Sequence, residues 1–319
     1  MSSQHIYDVP GPRARARNRV LAAVTILVVA AILGFIVYRF AATGQFSAKK
    51  WSIFSYQQIW VQIGYYMLQT LKAFALSAVL ALVLSVVLAL GRLSDHVWVK
   101  VVFVWFLEIF RAVPVLILMM LMYYGLPSVG VKVTPFSSVV VALTLYNATI
   151  IAEAIRSGII ALPRGQSEAG YALGMRKYQV MTHLLLPQAF RSMLPVIIAQ
   201  LVVILKDTAL GFIITYKELL YYAKALGTQI QFDAPLIPAS MVIGTIYVGM
   251  CMIVAALAKL AEQRISGGRD RSGRRRFWRN TNLQIARTRA HHPDDVIHPD
   301  EEPLAPRMRP GATPASALG

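Results

Sequence analysis

Ionisable side chains are scarce inside the apolar stretches of this 319-residue sequence, and those that do occur there come grouped. Lys206, Asp207 and Thr208 stand together about two helical turns before the end of the apolar run 190–214. Glu108 and Arg111 interrupt the run 97–126, and Glu153 and Arg156 close the run 137–155. A charge held in hydrocarbon costs several kcal/mol, so each group implies a water-lined path, a helix interface, or a span that begins later than its hydropathy suggests. Within each Glu-x-x-Arg pair the side chains share one helix face and can neutralise each other. Crosswise pairing, Glu108 with Arg156 and Glu153 with Arg111, would instead close a gate, and both arrangements stay open. No residues are spaced as a catalytic set or as metal ligands. No G-x-x-x-x-G-K-[ST] loop occurs, so the chain is expected to hold no nucleotide or other cofactor and to draw its energy from elsewhere.

The second group that could do work is the polar segment 163–187, PRGQSEAGYALGMRKYQVMTHLLLP, set between two apolar runs and bounded by prolines. Its spacing predicts a short helix over 166–173, with Ala169, Ala172 and Leu173 on one side and Gly174 as a left-handed cap. Glu168 is placed in the first turn, where a carboxylate suits the helix dipole, and Arg176 and Lys177 follow the helix end, where cations suit it. A further turn or two is expected over 175–184, giving a rigid knob on the membrane surface.

Glu168, Ala169, Gly170, then Gly174, then Leu184, Leu186 and Pro187 resemble the EAA motif of permease subunits in binding-protein-dependent ABC importers. Two positions depart: Gly170 stands where a second Ala is usual, and Leu184 where Ile is usual. Gly in place of Ala would loosen the helix by roughly 1 kcal/mol. EIFRAVP at 108–114, the Tyr-Tyr-Gly-Leu-Pro ending at 123–127 and LKDTAL at 205–210 resemble segments of permeases for polar amino acids, and YDVPGPRARARN at 7–18 resembles the glutamate-uptake branch. The resemblance implies an all-α bundle of the type I importer class. It also implies a cytoplasmic ATPase subunit that binds the ATP and takes the knob in a groove, a second permease subunit, identical or related, and an extracytoplasmic solute-binding protein.

The elements that must position these residues follow from composition. A hydrophobic content of 56% exceeds what a soluble domain of this size needs, so the chain is read as a membrane protein. The formal charge of +17 falls mainly between and beyond the apolar runs, a pattern of bilayer topology and not of nucleic-acid binding. Cys251, the single cysteine, excludes an intrachain disulfide. Six spans are expected, in the runs 20–42, 63–90, about 108–127, 137–155, 190–214 and 237–260. Residues 97–107, with Trp98, Lys100 and Trp105, are read as an interfacial arm. Ala73, Ser77, Ala81, Ser85 and Ala89 form a ridge of small side chains suited to close helix packing.

The domain reading is a basic segment 1–19, a retained extra helix 20–42, a permease core 63–264 containing the coupling loop 163–187, and a disordered tail 265–319. Basic residues place both termini in the cytoplasm of a multi-pass cell-membrane protein. The tail's Arg274, Arg275, Arg276, Phe277, Trp278 and Arg279 are expected on anionic lipid. The link 216–235, with Tyr221 and Tyr222, reads as a largely polar outer segment facing the solute-binding protein. The function read from this is import of a polar or acidic amino acid, with glutamate and aspartate among the candidates. The alternatives are a secondary transporter, which would show inverted repeats, and a non-transporting anchor for a cytoplasmic partner.

Overall fold

The computed structural model describes residues 11–266, and within them all regular structure is helical. Residues 1–10 of the expected basic segment, the tail beyond 266 and the Arg274 to Arg279 cluster fall outside the described residues. Five helices are long and apolar enough to cross a bilayer, and a sixth crossing results if one bent pair is a single span.

The first helix, α1 (Pro12–Ala42), begins before the apolar run, with Pro12 in its first turn. A proline there gives up only an N–H that would have had no partner. None of its large apolar side chains is buried, so α1 offers its surface to lipid. The second, α2 (Gln57–Arg92), carries the small-residue ridge, and Ala73, Ser77, Ala81, Ser85 and Ala89 are all fully buried. The ridge lies against α5 (Pro135–Ile160), which buries Leu143, Asn147, Ala148, Ile151 and Ile155. Small side chains allow the two backbones to approach, which is what holds helices together where lipid is as apolar as the helix surface. A polar clamp joins α5 to a further helix: Gln200 on α7 (Leu186–Asp207) donates to Asn147 Oδ1 at 2.5 Å, and Asn147 donates to the Leu143 carbonyl at 2.8 Å.

Between α2 and α5 the chain folds into an arm and a span. The arm, α3 (Val97–Ala112), ends where Pro114 cannot continue a helix, and α4 (Val115–Met120) leaves it at 99° and runs on as a helix to Ser128. The arm is longer than the sequence suggests. Glu108 and Arg111 lie near its end and do not begin a new helix. The helix expected to start near Glu108 starts at Val115 instead, because the proline and not the first charge sets the corner. Trp98, Val102, Trp105 and Ile109 form an exposed stripe along the arm, as an interfacial helix requires.

After the knob helix α6 (Arg164–Ala172), α7 ends at Asp207 and continues as a tighter 3-10 helix, Thr208–Ile214. The link that follows departs from its sequence reading. Instead of a largely polar stretch it holds a packed helix, α8 (Leu219–Gly227), before the last span, α9 (Leu236–Ser266). Leu219, Tyr222, Ala223 and Leu226 are buried, and the Tyr222 ring stacks on Tyr66 of α2 with centroids 4.6 Å apart. Tyr222 is thus core, and only part of the link faces outward.

Candidate functional site: a coupling knob and two charged ends of the bundle

The knob forms from local rules. α6 begins at Arg164, two residues earlier than expected, so Glu168 lies in its second turn and the proposed first-turn dipole interaction is lost. The helix stops at Gly174, whose φ of 76° only glycine adopts without strain. The Gly174 N–H donates to the Tyr171 carbonyl at 2.9 Å and the Met175 N–H to the Gly170 carbonyl at 3.1 Å, satisfying the helix end. A short turn, Lys177–Gln179, then passes through a π-helical turn, Val180–Leu185, into α7.

Gly170 has a different role from the loosening expected of it. It is the buried residue of α6, and a Cβ placed there would lie 2.9 Å from both Leu184 and Val180. Missing bulk lets α6 lie directly on the π-helical turn, so the glycine makes the mount tighter. The opposite side of α6 has no cover: Glu168, Ala169, Tyr171, Ala172 and Leu173 are exposed, Leu173 at 83%. Leu186 and Pro187 open α7, which follows directly on the π-helical turn that seats α6.

Charges gather at the same end of the bundle. The Glu153 carboxylate accepts from the Arg156 guanidinium, at 2.5 Å from Nη2, and pairs with Arg92 at the end of α2. Glu108 and Arg111 pair within α3 at 3.1 Å. The crosswise pairs Glu108 with Arg156 and Glu153 with Arg111 are not formed. Neighbours one turn apart on a helix meet without any rearrangement, and Arg92, which the sequence did not single out, supplies the inter-helix tie. Asp95, in the link after α2, pairs with Lys177 and fastens that link to the knob.

Lys206, Asp207 and Thr208 fall at the far end of α7. Lys206 is exposed, Asp207 is half-buried, and no ion pair joins them, so their adjacency in the sequence is not a paired site. Successive residues on a helix point about 100° apart, so adjacency in sequence separated them. Thr208 is fully buried and donates to the Leu205 carbonyl at 2.6 Å.

A carboxylate that the sequence reading passed over organises this far end. Glu218 is fully buried and caps α8, accepting from the N–H groups of Leu220 at 2.8 Å and Tyr221 at 2.7 Å and from the Tyr247 hydroxyl at 2.6 Å. Thr70 Oγ1 accepts from the Leu219 N–H at 3.2 Å, and Tyr216 donates to the Gln69 carbonyl at 2.8 Å. Together these bonds tie α8 to α2 and α9. Burial pushes the Glu218 carboxyl up to about 7, outweighing the hydrogen bonds from Tyr247, Leu220 and Tyr221 that favour its charged form. Leu219, Tyr222, Ala223 and Leu226, spaced i, i+3, i+4, i+7 after an acidic N-cap, were the available signal.

Residues 81–267 match a family model described as the binding-protein-dependent transport system inner membrane component. Among known proteins, the glutamate transport system permease protein GluD of Corynebacterium glutamicum is 38% identical over 243 residues, covering 72% of this chain and 85% of its own. The arginine transport system permease protein ArtQ of Bacillus subtilis is 33% identical over 201 residues, covering 61% and 89%. A crystal structure of an amino acid ABC transporter with histidines superposes with a TM-score of 0.58 at 28% identity, over 67% of this chain and 97% of that one. The inward-facing MetNI methionine transporter, at 17% identity and a TM-score of 0.55, shares the fold. The family match spans more than half of the 319 residues and contains α6 on its glycine mount. The chain therefore belongs to the binding-protein-dependent inner membrane components and is the permease subunit of an ABC importer.

Proposed function

We propose that this subunit carries an acidic amino acid, of the glutamate or aspartate kind, into the cell through the cell membrane. A single observation carries the mechanical part: α6 is locked below by Gly170 and leaves Tyr171, Ala172 and Leu173 uncovered above. A surface so mounted transmits force when a separate cytoplasmic ATPase grips it, and the chain itself performs no chemical step. ATP belongs to that partner. Glu168 and Gly174 serve the coupling, with Ala169, Leu184, Leu186 and Pro187 joining the gripped surface to α7.

On the same reading, the cluster of Arg92, Glu108, Arg111, Glu153 and Arg156 closes the inner end of the path, with the Arg92–Glu153 pair tying α2 to α5 and the Glu108–Arg111 pair carried on α3. Lys206, exposed and without an ion pair, is a cation available to a passing carboxylate, beside Asp207 and Thr208. Basic residues at the knob end support a cytoplasmic location for that end and for both termini. A second permease subunit would cover apolar faces that lipid does not, and an extracytoplasmic binding protein would deliver the solute to the opposite end. The likeness to GluD supports an acidic substrate.

The test is reconstitution in proteoliposomes with the ATPase and binding-protein partners, measuring labelled glutamate uptake with and without ATP. Uptake that requires ATP is expected. Uptake without ATP would point to a secondary transporter, and absence of uptake with every amino acid to an anchor.

A further inference from the structure

At the end of the bundle away from the knob, the 3-10 helix 208–214 and α8 border an open cavity of about 470 Å³. This lies within the roughly 300–1,000 Å³ usual for small-molecule sites. Its lining is unusual for a surface that only meets lipid. Lys224 reaches into it with Nζ 5.8 Å from the centre of the Phe212 ring, and no carboxylate pairs with it. Lys49, another lysine at this end, is paired with Asp233 at 2.7 Å. Thr215 and Tyr221 also line the cavity, and among the described residues neither hydroxyl is used in an internal hydrogen bond.

Thr215 has a φ of 62°, a left-handed conformation that a β-branched residue rarely adopts. Strain of this kind persists where the surroundings hold a residue for a purpose. Here it turns the chain out of the 3-10 helix so that Phe212, Ile213 and Thr215 all border the cavity. α8 supplies the other wall, and Glu218 and Thr70 fix that wall in place.

We propose that this cavity is a substrate subsite on the membrane subunit: Lys224 Nζ takes a carboxylate of the amino acid, and the Phe212 and Tyr221 rings take its ammonium. An aromatic face attracts an ammonium, and a lysine resting over a ring exchanges that contact for a stronger one when a carboxylate arrives. Thr215 and Tyr221 hydroxyls complete the set of donors. The inference rests on the acidic-substrate reading above and adds to it the place where the acid is held.

The experiment uses the full complex of permease, ATPase and binding protein in nanodiscs or proteoliposomes. Labelled glutamate uptake, labelled glutamate binding in competition with glutamine, and the ATPase rate are compared for wild type, Lys224→Met and Lys224→Arg. Lys224→Met is expected to lose about tenfold in glutamate uptake efficiency and in preference over glutamine, the scale of one charge-assisted hydrogen bond. Its ATPase rate stays within about twofold, since Lys224 is exposed and touches no part of the knob, and Lys224→Arg retains most of the uptake because it keeps the charge. Undiminished glutamate uptake and preference in Lys224→Met, with a wild type that imports glutamate, overturns the subsite and leaves the proposed function standing. Loss of ATPase rate in both variants also overturns it, assigning Lys224 to the coupled fold. A wild-type complex that refuses acidic amino acids removes the proposed function, and the subsite with it.

Discussion

Two short helices flank the same spanning helix, α7, and they are built on opposite plans. Each is nine residues long, α6 before it and α8 after the 3-10 extension. α6 buries one glycine and shows its apolar side chains to the outside, whereas α8 buries Leu219, Tyr222, Ala223 and Leu226 and is pinned by a buried carboxylate. On the proposed reading, the difference separates a surface that takes a partner from a wall that must not move. A helix meant to be gripped has to leave its apolar face uncovered, and its own rigidity must then come from backbone devices such as the Gly174 cap. A helix that borders a cavity gains rigidity from its packing.

The sharpest way to break this contrast is at the cap of α6. Gly174→Pro cannot adopt the left-handed φ, and Glu168→Lys reverses a charge on the exposed face, so both variants should insert normally and lose ATP-coupled uptake by about a hundredfold or more. Uptake within a few-fold of wild type in both would show that α6 transmits no force.

On the α8 side, Glu218→Ala strands three donors in a buried site and should lower the stability of the purified protein by about 3 kcal/mol, read as a fall in the midpoint of thermal unfolding. The same carboxyl gives a pH signature. Its folded value of about 7 lies above the ordinary 4.5, so its contribution to stability is full below about 4.5 and is lost as pH rises through about 7. The unfolding midpoint should therefore fall between pH 5 and 8 in the wild type, and Glu218→Gln should flatten that part of the fall. An unchanged profile in Glu218→Gln would assign the pH response to other groups.

A smaller effect is expected at Gly170. Alanine favours a helix by about 1 kcal/mol, but its Cβ would press on Val180 and Leu184, so Gly170→Ala should leave stability within about 1 kcal/mol while raising the ATP spent per solute moved. Tighter coupling in this variant would mean that the close seat of α6 is not what transmits the motion.

The smallest expected effect is an interaction term. Because no ion pair joins Lys206 and Asp207, only the attraction between neighbouring charges couples them, and the effects of Lys206→Met and Asp207→Leu on uptake should add to within about 1 kcal/mol in the double variant. Rescue of uptake by the double change would restore the ion pair that the structure lacks.

Much of the fold was legible because lipid imposes simple rules. The ridge from Ala73 to Ala89 declared a helix contact, and all five residues are buried in it. Pro114 marked a corner, although the first charge was mistaken for it. The knob was legible in its cap, its glycine and its proline, while its first residue was off by two. α8 was not legible within a link read as largely polar, because the polar Glu218, Lys224 and Thr228 interrupt the apolar period that runs between them.

By itself the sequence determined the long apolar helices, the short helix that ends at Gly174 and the absence of a G-x-x-x-x-G-K-[ST] motif, since hydropathy, capping and spacing are local properties that each stretch carries alone. Only the tertiary structure decided which charges meet. Arg92 reached Glu153 from another helix, Lys206 turned away from Asp207, Gly170 became a point of close approach, and Glu218 was enclosed by α2 and α9. Pairing and burial are properties of side chains distant in sequence, and they are fixed only when the helices that carry those side chains pack.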